Sequence, residues 1–190
     1  MDSSQRIRCF LAVDITDTSI IEKLVATASE LLETGSDLRP VSPENLHVTV
    51  RFLGDADLGM VTAVEAALDE LHAASFQVGL SGVGFFRDPT YINVIWVGIR
   101  TGAAELGAIY DMLEPKLERA GFRRDSRGFS PHLTIARVRA VRDRRTLLAS
   151  LAKRVNQDFG TFTAQGLRLK KSVLTPHGPI YTTLKERRFE

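Results

Sequence analysis

The feature that most restricts the fold of this chain is a short pattern that occurs twice, 85 residues apart. The segment ENLHVTVRFLG spans Glu44 to Gly54, and FSPHLTIAR spans Phe129 to Arg137. In both, apolar and polar residues alternate, which predicts a β-strand. Each segment precedes an amphipathic helical pattern, and further strands follow. The repeat predicts two similar lobes around a shared cleft, although the order strand–helix–strand is common enough to recur by chance.

Strand and helix patterns alternate along the rest of the chain and predict an α+β fold of two helix-backed antiparallel sheets. Helices begin after candidate N-cap residues in the TDTS segment (residues 16–19) and at Asp57. Pro115 lies inside the third predicted helix, where proline can produce a kink. The predicted strands cover residues 7–14, 46–53, 76–86, 91–99, 129–138, 162–174 and 180–189, and the predicted helices cover residues 20–32, 57–71, 103–120 and 143–159.

The composition sets limits on the class of protein. The 190 residues are 44% hydrophobic, enough for one sizeable core, and the net charge of +2 permits an anionic ligand without requiring one. Cys9 is the single cysteine, so the chain forms no internal disulfide and no cysteine-rich metal site. The N-terminus does not resemble a secretory signal, and no apolar run approaches the roughly 18 residues of a membrane span. We expect a cytoplasmic protein without a membrane segment.

Each repeated strand presents an imidazole and a hydroxyl on one face. Successive strand side chains alternate between faces, so His47 and Thr49 point away from the core, and His132 and Thr134 do likewise. The same alternation predicts that Phe52 points into the core.

Two imidazoles and two hydroxyls suit acid–base chemistry on a phosphodiester. Histidine, with a usual pKa of about 6.5, gains and loses protons near neutrality, and two histidines can divide the two proton transfers. Hydroxyl groups can donate hydrogen bonds to the anionic oxygens. A single His-x-Thr would more often be structural, but two copies in matching contexts favour a catalytic site.

Other kinds of site have less support. Neither motif carries an acidic or cysteine ligand, and zinc-site spacings are absent, so no metal is expected. The chain has no Gly-x-Ser-x-Gly, no P-loop and no Gly-x-Gly-x-x-Gly. We expect His72 to face solvent or cap carbonyl groups, and His177 to be structural or incidental, with a position in the cleft wall as the alternative.

The paired motifs resemble those of the two-histidine (2H) phosphoesterases, in the branch of RNA 2′,3′-cyclic phosphodiesterases also called 2′-5′ RNA ligases. The opening RCFLAVDI, the Arg-Phe-Leu-Gly after the first motif and the closing SVLTPHGPIYTTL fit that branch in order. The resemblance implies one bilobal α+β domain over residues 1–190, made of two intertwined lobes with one motif each, at residues 47–49 and 132–134.

The resemblance also implies a reaction and a set of site residues. A 2′,3′-cyclic phosphate at an RNA end or nucleotide would be opened to a 2′-phosphate without metal or cofactor. His132 would activate water and His47 would protonate the departing O3′, while Thr49 and Thr134 would hold the phosphate oxygens. Arg137 would also bind substrate, but only at a bulge or beyond the strand end, since it lies an odd number of residues after His132.

Further candidates come from position alone. Phe10 is a candidate for stacking on a base and Tyr181 for lining the cleft, with a core role and an ordinary sheet position as the alternatives. Arg51, predicted on the same face as Thr49, would aid anion binding. The basic run RVRAVRDRR (residues 137–145) is typical of a solvated helix face, with attraction of RNA phosphates as the alternative.

Three functions fit these residues. The first is hydrolysis of 2′,3′-cyclic phosphates. The second is reversible 2′-5′ RNA ligation, which the same side chains could catalyse. The third is a non-catalytic RNA or nucleotide-binding module, which has no need for two titrating groups. A monomer suffices for all three.

Overall fold

The alternating apolar residues of the strands and the apolar stripes of the helices meet in one continuous core. The computed structural model describes residues 6–125, 128–176 and 178–190. Leu11, Val48, Ile95 and Leu133, from four neighbouring strands, are fully buried. The helices cover them with side chains such as Leu24, and this apolar burial supplies the main stabilisation of the fold.

The described residues form nine strands and four α-helices, which confirms the predicted α+β class. The strands are β1 (Ile7–Asp14), β2 (Asp37–Pro40), β3 (His47–Ala56), β4 (Phe76–Asp88), β5 (Tyr91–Thr101), β6 (His132–Ala140), β7 (Asp158–Ala164), β8 (Gly166–Thr175) and β9 (Gly178–Arg188). The helices are α1 (Thr18–Leu32), α2 (Leu58–Asp69), α3 (Ala103–Arg119) and α4 (Arg144–Ala152), and a short 3₁₀-helix spans Pro43–Asn45.

The two predicted sheets are joined into one. The strand order is β7-β4-β5-β6-β3-β1-β8-β9, with β2 paired to β6, and every pairing is antiparallel. One half contains β3, β1, β8 and β9, and the other contains β6, β5, β4 and β7. The halves meet where β3 pairs with β6, at Val48 and Leu133. This junction therefore brings the two His-x-Thr motifs into adjacent strands.

The predicted helix starts are confirmed by their caps. Asp17 accepts a hydrogen bond from the backbone N–H of Ile20 at 3.1 Å, and Asp57 accepts one from Met60 at 2.9 Å. Each carboxylate satisfies a donor that has no partner within the helix. The third helix continues through Pro115 to Arg119.

The largest differences from the predicted boundaries occur in three places. The fourth helix ends at Ala152 rather than near residue 159, because the carbonyl groups that follow bond to β4. The backbone N–H of Gly82 donates to the carbonyl of Gln157, and that of Val83 donates to the carbonyl of Arg154. The long strand predicted over residues 162–174 is instead two strands, β7 and β8, that meet at Gln165. The loop before the first motif contains β2, which forms by pairing with the distant β6. These features depend on long-range pairing, which local patterns do not report.

Within the ranges described, no helix is both long enough and apolar enough to cross a membrane.

Candidate active site

The two motifs lie opposite each other across the β3–β6 junction. Val48 pairs with Leu133 in an antiparallel register, so continuing that register by one residue sets His47 opposite Thr134 and Thr49 opposite His132. All four side chains belong to the face opposite the buried Val48 and Leu133. Each imidazole thus has the hydroxyl of the other half as its cross-strand neighbour.

A bulge follows each motif at the same position. In the pairing of β1 with β3, Leu11 and Ala12 lie opposite Arg51 and Thr49, so Val50 is the extra residue. In the pairing of β5 with β6, Ile135 is the extra residue in the same way. An extra residue reverses the alternation of faces beyond it. The residues directly beyond Val50 and Ile135 are therefore turned over relative to a regular strand, and a second bulge at Leu53 restores the alternation near the end of β3.

The sequence predicted that Arg137 reaches the cleft only at a bulge or beyond the strand end. The bulge in β6 satisfies this condition, and Arg137 is exposed and lines the cleft. The bulge in β3 overturns two predictions. Phe52 does not point into the core but is 51% exposed on the cleft side. Arg51 was predicted to share the face of Thr49, but it is 7% exposed.

The Arg51 guanidinium is engaged on three sides. It donates to Glu114 of α3 at 2.5 Å, to the carbonyl of Phe52 at 2.6 Å and to the carbonyl of Arg123 at 2.5 Å. Although the residue contributes to the cleft wall, these bonds fix it to the protein. The hydrogen bonds to Glu114 and Arg123 connect β3 to α3 and to the segment that follows it.

The two histidines have matching hydrogen bonds. Nδ1 of His47 lies 2.7 Å from the carbonyl of Asn45, and Nδ1 of His132 lies 2.7 Å from the carbonyl of Ser130. Since a carbonyl only accepts, Nδ1 carries the proton in both rings. In the neutral form, Nε2 is then the basic nitrogen of each imidazole.

Aromatic rings surround each imidazole. The centroid of His47 lies 4.9 Å from that of Phe10 and 5.5 Å from that of Tyr181. His132 lies 4.6 Å from Phe86 and 6.5 Å from Trp96. These apolar contacts fix the rings and remove water from around them.

Burial lowers the pKa of both histidines. It lowers the pKa of His47 from the usual 6.5 to about 4, because the charged imidazolium is poorly solvated there. The hydrogen bond to Asn45 opposes this shift, Lys170 adds to it, Asp14 opposes it and Arg137 adds to it. Burial also lowers the pKa of His132, against the hydrogen bond to Ser130. Burial therefore favours the neutral form of both imidazoles in the free protein.

An ion-pair group lies beside His47. Asp14 pairs with His47 in the register of β1 and β3. The Lys170 ammonium donates to both Asp14 carboxylate oxygens at 2.8 Å, and Arg168 donates to Oδ2 at 2.8 Å. The corresponding neighbour of His132 in β5 is Gly98, which has no side chain. The two imidazoles therefore lie in different electrostatic surroundings.

A cleft of about 610 Å³ runs along the junction. Its walls include Thr49, Phe52, Phe86, Asn93, Tyr110, Asp125, Phe129, His132, Thr134 and Arg137. In the described part of the chain, no three His, Cys, Asp or Glu side chains are grouped so that they could hold a metal ion.

The other predicted residues differ in their exposure. Phe10 is 3% exposed, with rings of His47, Tyr181 and Phe52 around it, so it packs in the core rather than offering a free face to a base. Tyr181 is half-buried beside His47. The arginines at 139, 142, 144 and 145 and His72 are exposed, and His177 lies outside the described residues.

Sequence reasoning missed Phe52, Phe86, Trp96, Asp14 and Lys170 as neighbours of the site. The sequence analysis assigned Phe52 to the core, because strict alternation takes no account of the bulge. The other four reach the site through strand pairings between residues distant in sequence. A local pattern contains no signal for such pairings.

The chain matches the LigT-like phosphoesterase family twice, over residues 13–96 and again over residues 97–181. Each match contains one His-x-Thr motif. The chain belongs to this family. An RNA 2′,3′-cyclic phosphodiesterase of Archaeoglobus fulgidus is 37% identical to this LigT-like protein over 178 residues, which are 94% of this chain and 98% of the relative. The enzyme of the same name from Methanocaldococcus jannaschii is 37% identical over 179 residues, 94% of this chain and 99% of the relative.

Solved structures share the LigT-like fold. TT0787 of Thermus thermophilus superposes with a TM-score of 0.80 and 25% identity, covering 96% of this chain and 97% of that one. E. coli LigT in complex with 3′-AMP superposes with a TM-score of 0.76 and 22% identity, covering 97% of this chain and 99% of that one. The whole described chain therefore has the architecture of the family.

Proposed function

We propose that this protein hydrolyses the 2′,3′-cyclic phosphate of RNA ends or nucleotides to a 2′-phosphate, with His47 and His132 as its acid–base pair. The observation that carries the proposal is the register of the β3–β6 junction, which sets each imidazole opposite the threonine of the other motif. The relatives named RNA 2′,3′-cyclic phosphodiesterase, similar over 94% of this chain, support the choice of substrate. A 2′,3′-cyclic ester requires a 2′-hydroxyl, so the substrate is RNA rather than DNA.

The proposed reaction is an in-line displacement at phosphorus. One imidazole accepts a proton from water as the water oxygen bonds to phosphorus. The bond from phosphorus to O3′ breaks, and O3′ takes a proton from the other imidazole. The products are a 3′-hydroxyl and a 2′-phosphate, and the pair of imidazoles exchanges its protons with solvent before the next turnover.

The remaining site residues would bind the phosphate. Thr49 and Thr134 can donate hydroxyl hydrogen bonds to the non-bridging oxygens. Arg137, turned toward the cleft by the bulge at Ile135, adds a positive charge. These donors stabilise the charge that develops on the phosphate oxygens as the displacement proceeds.

The resemblance predicted His132 as the base and His47 as the acid. The low pKa of His47 favours the opposite assignment. An imidazole with a pKa of about 4 is neutral at pH 7 and can therefore accept a proton, although the low pKa also makes it a weaker base than an exposed histidine. We therefore propose His47 as the base that activates water and His132 as the acid that protonates O3′. The negatively charged substrate would raise the pKa of both histidines on binding, and Lys170 would continue to oppose the protonation of His47 but not that of His132.

Single histidine substitutions test the acid–base pair. His47→Ala and His132→Ala should each lower kcat for adenosine 2′,3′-cyclic phosphate by about 10²–10⁴-fold, because each removes one proton-transfer group. Turnover is measured with a chelator present, and the product is identified as the 2′-phosphate. His72→Ala, which changes an exposed histidine outside the cleft, is the matched control and should keep wild-type turnover.

The fold of each variant is checked by circular dichroism and thermal unfolding. A folded His47→Ala or His132→Ala protein with near-wild-type turnover would contradict the acid–base assignment. Tight nucleotide binding by the wild-type protein without any product would instead indicate a binding module.

A further inference from the structure

Two arginines lie side by side next to the cleft. Arg39 of β2 is the register partner of Arg137 of β6, and residues paired in this way project from the same face of a sheet. Arg137 lines the cleft, so Arg39 belongs to the cleft face as well. Like charges that lie directly opposite each other destabilise a sheet. A gain in stability therefore does not account for this pair.

No carboxylate neutralises the two arginines in the part of the chain that the structure describes. Neither guanidinium forms an ion pair there, whereas Arg51 and Arg168 each do. Among the described residues, Arg39 makes a single long hydrogen bond, from Nη2 to the carbonyl of Pro176 at 3.4 Å. A guanidinium has five N–H donors, so most donors of Arg39 and Arg137 remain available to a ligand.

Pro176 and Gly178, at the junction of β8 and β9, fix the position of Arg39. A Cβ atom at Gly178 would lie 3.2 Å from Nη2 of Arg39, so glycine leaves room for the guanidinium there. The same junction is attached to the segment before β3, because Asn45 donates to the carbonyl of Pro179 at 3.2 Å. Arg39 is not part of the cleft wall, so it lies beside Arg137 and just outside the cleft.

Two adjacent guanidinium groups match two phosphate groups that are joined through one ribose. Arg137 would contact the cyclic phosphate, and it lies close enough to His47 to lower the pKa of that imidazole. In RNA, the nucleotide that carries a terminal cyclic phosphate is linked through its 5′ oxygen to a phosphodiester. A mononucleoside 2′,3′-cyclic phosphate has no such group. A second guanidinium beside the first can therefore distinguish an RNA end from a mononucleotide.

We propose that Arg39 binds the phosphodiester on the 5′ side of the nucleotide that carries the cyclic phosphate, so that the site favours RNA ends over mononucleotides. The inference rests on the proposed function and adds a second phosphate subsite to it. Arginine suits this role, because its planar guanidinium donates two parallel hydrogen bonds to a phosphate. The bound phosphodiester would also offset the repulsion between Arg39 and Arg137.

Three substrates isolate the charge of the second phosphate. The first is deoxyadenylyl-(3′→5′)-adenosine 2′,3′-cyclic phosphate, and the second is the same dinucleotide with an uncharged methylphosphonate linkage. The third is adenosine 2′,3′-cyclic phosphate. Wild-type kcat/KM should be roughly tenfold higher for the first substrate, because the other two lack the charged hydrogen-bond acceptor. Added salt should reduce this preference, since the contact is electrostatic.

Arg39→Gln removes the charge and keeps a hydrogen-bonding side chain. In this variant, kcat/KM for the charged dinucleotide should fall roughly tenfold, mainly through KM, and the losses on the other two substrates should be several-fold smaller. Arg39→Lys should restore part of the preference. Arg119→Gln is the matched control, since this exposed arginine at the end of α3 does not line the cleft. It changes the net charge equally and should leave the preference intact.

The outcomes separate the subsite from the hydrolysis. Equal losses on all three substrates in Arg39→Gln, or no loss on any, would overturn the second phosphate subsite while leaving the hydrolysis intact. Equal wild-type kcat/KM for the charged and the methylphosphonate dinucleotides would overturn it as well.

A lack of turnover by the wild-type protein would overturn the proposed function instead. In that case calorimetric binding of deoxyadenylyl-(3′→5′)-adenosine 2′-phosphate and of its methylphosphonate analogue decides the inference. A roughly tenfold preference for the charged ligand that disappears in Arg39→Gln supports the contact. A missing preference, or one that persists in the variant, contradicts it.

Discussion

His47 and His132 occupy equivalent strand positions, but the residues beside them differ. The strand next to His47 contributes Asp14, whereas the strand next to His132 contributes Gly98. Lys170 is 5% exposed and bonds both oxygens of Asp14, so a fixed positive charge lies near one imidazole. Two copies of one motif can therefore perform different proton transfers.

A pH profile of Lys170→Met tests this asymmetry. Removing the ammonium should raise the pKa of His47, because Lys170 disfavours the imidazolium and Asp14 favours it. If His47 is the base, kcat/KM is lost as pH falls and His47 becomes protonated. The acidic limb of the kcat/KM profile should then move to higher pH in the variant, while the basic limb stays in place.

Lys171→Met is the control, since Lys171 pairs with Cys9 on the other side of the strand and should leave both limbs unchanged. Movement of the basic limb in Lys170→Met would assign His47 as the acid. An unchanged profile would show that the ion pair does not act on His47.

At the level of elements, the sequence correctly predicted the faces of the motif residues before the bulges, but not the faces of the residues beyond the bulge in β3. Alternation placed His47, Thr49, His132 and Thr134 on one face of their strands, and the structure has all four there. The odd spacing from His132 also predicted that Arg137 reaches the cleft only at a bulge or beyond the strand end. Alternation could not locate the bulge at Val50, because the sequence VTVRFL is equally compatible with a regular strand. Arg51 and Phe52 were consequently assigned to the wrong faces.

The bulge creates a buried ion pair whose loss should destabilise the fold. Arg51→Ala would leave the Glu114 carboxylate charged, buried and without its partner, so we expect the free energy of unfolding to fall by about 3–5 kcal/mol. The double variant Arg51→Met, Glu114→Leu should recover much of this loss, because neither buried charge remains. Both values come from denaturant unfolding at pH 7.

Arg139→Ala changes an exposed arginine of β6 and should alter stability by less than about 0.5 kcal/mol. An Arg51→Ala protein as stable as Arg139→Ala would show that the pair does not hold β3 to α3.

At the level of the whole molecule, the two halves exchange strands. β4 follows the first motif in sequence but pairs with β5 in the half of the second motif, while β8, late in the chain, pairs with β1 in the half of the first. We propose that this exchange makes the chain one domain of two intertwined lobes, since neither lobe is built from a continuous segment. The 85-residue repeat predicted the two halves, but the exchange depends on long-range pairing that the repeat does not encode.

The proposed reaction requires both imidazoles to act on a single phosphorus atom. A crystal structure with adenosine 2′-phosphate bound tests it most directly. We predict that Nε2 of His47 and Nε2 of His132 each lie within about 3.2 Å of an oxygen of the same phosphate group. A phosphate that contacts one imidazole while the other lies beyond hydrogen-bond reach would contradict the account.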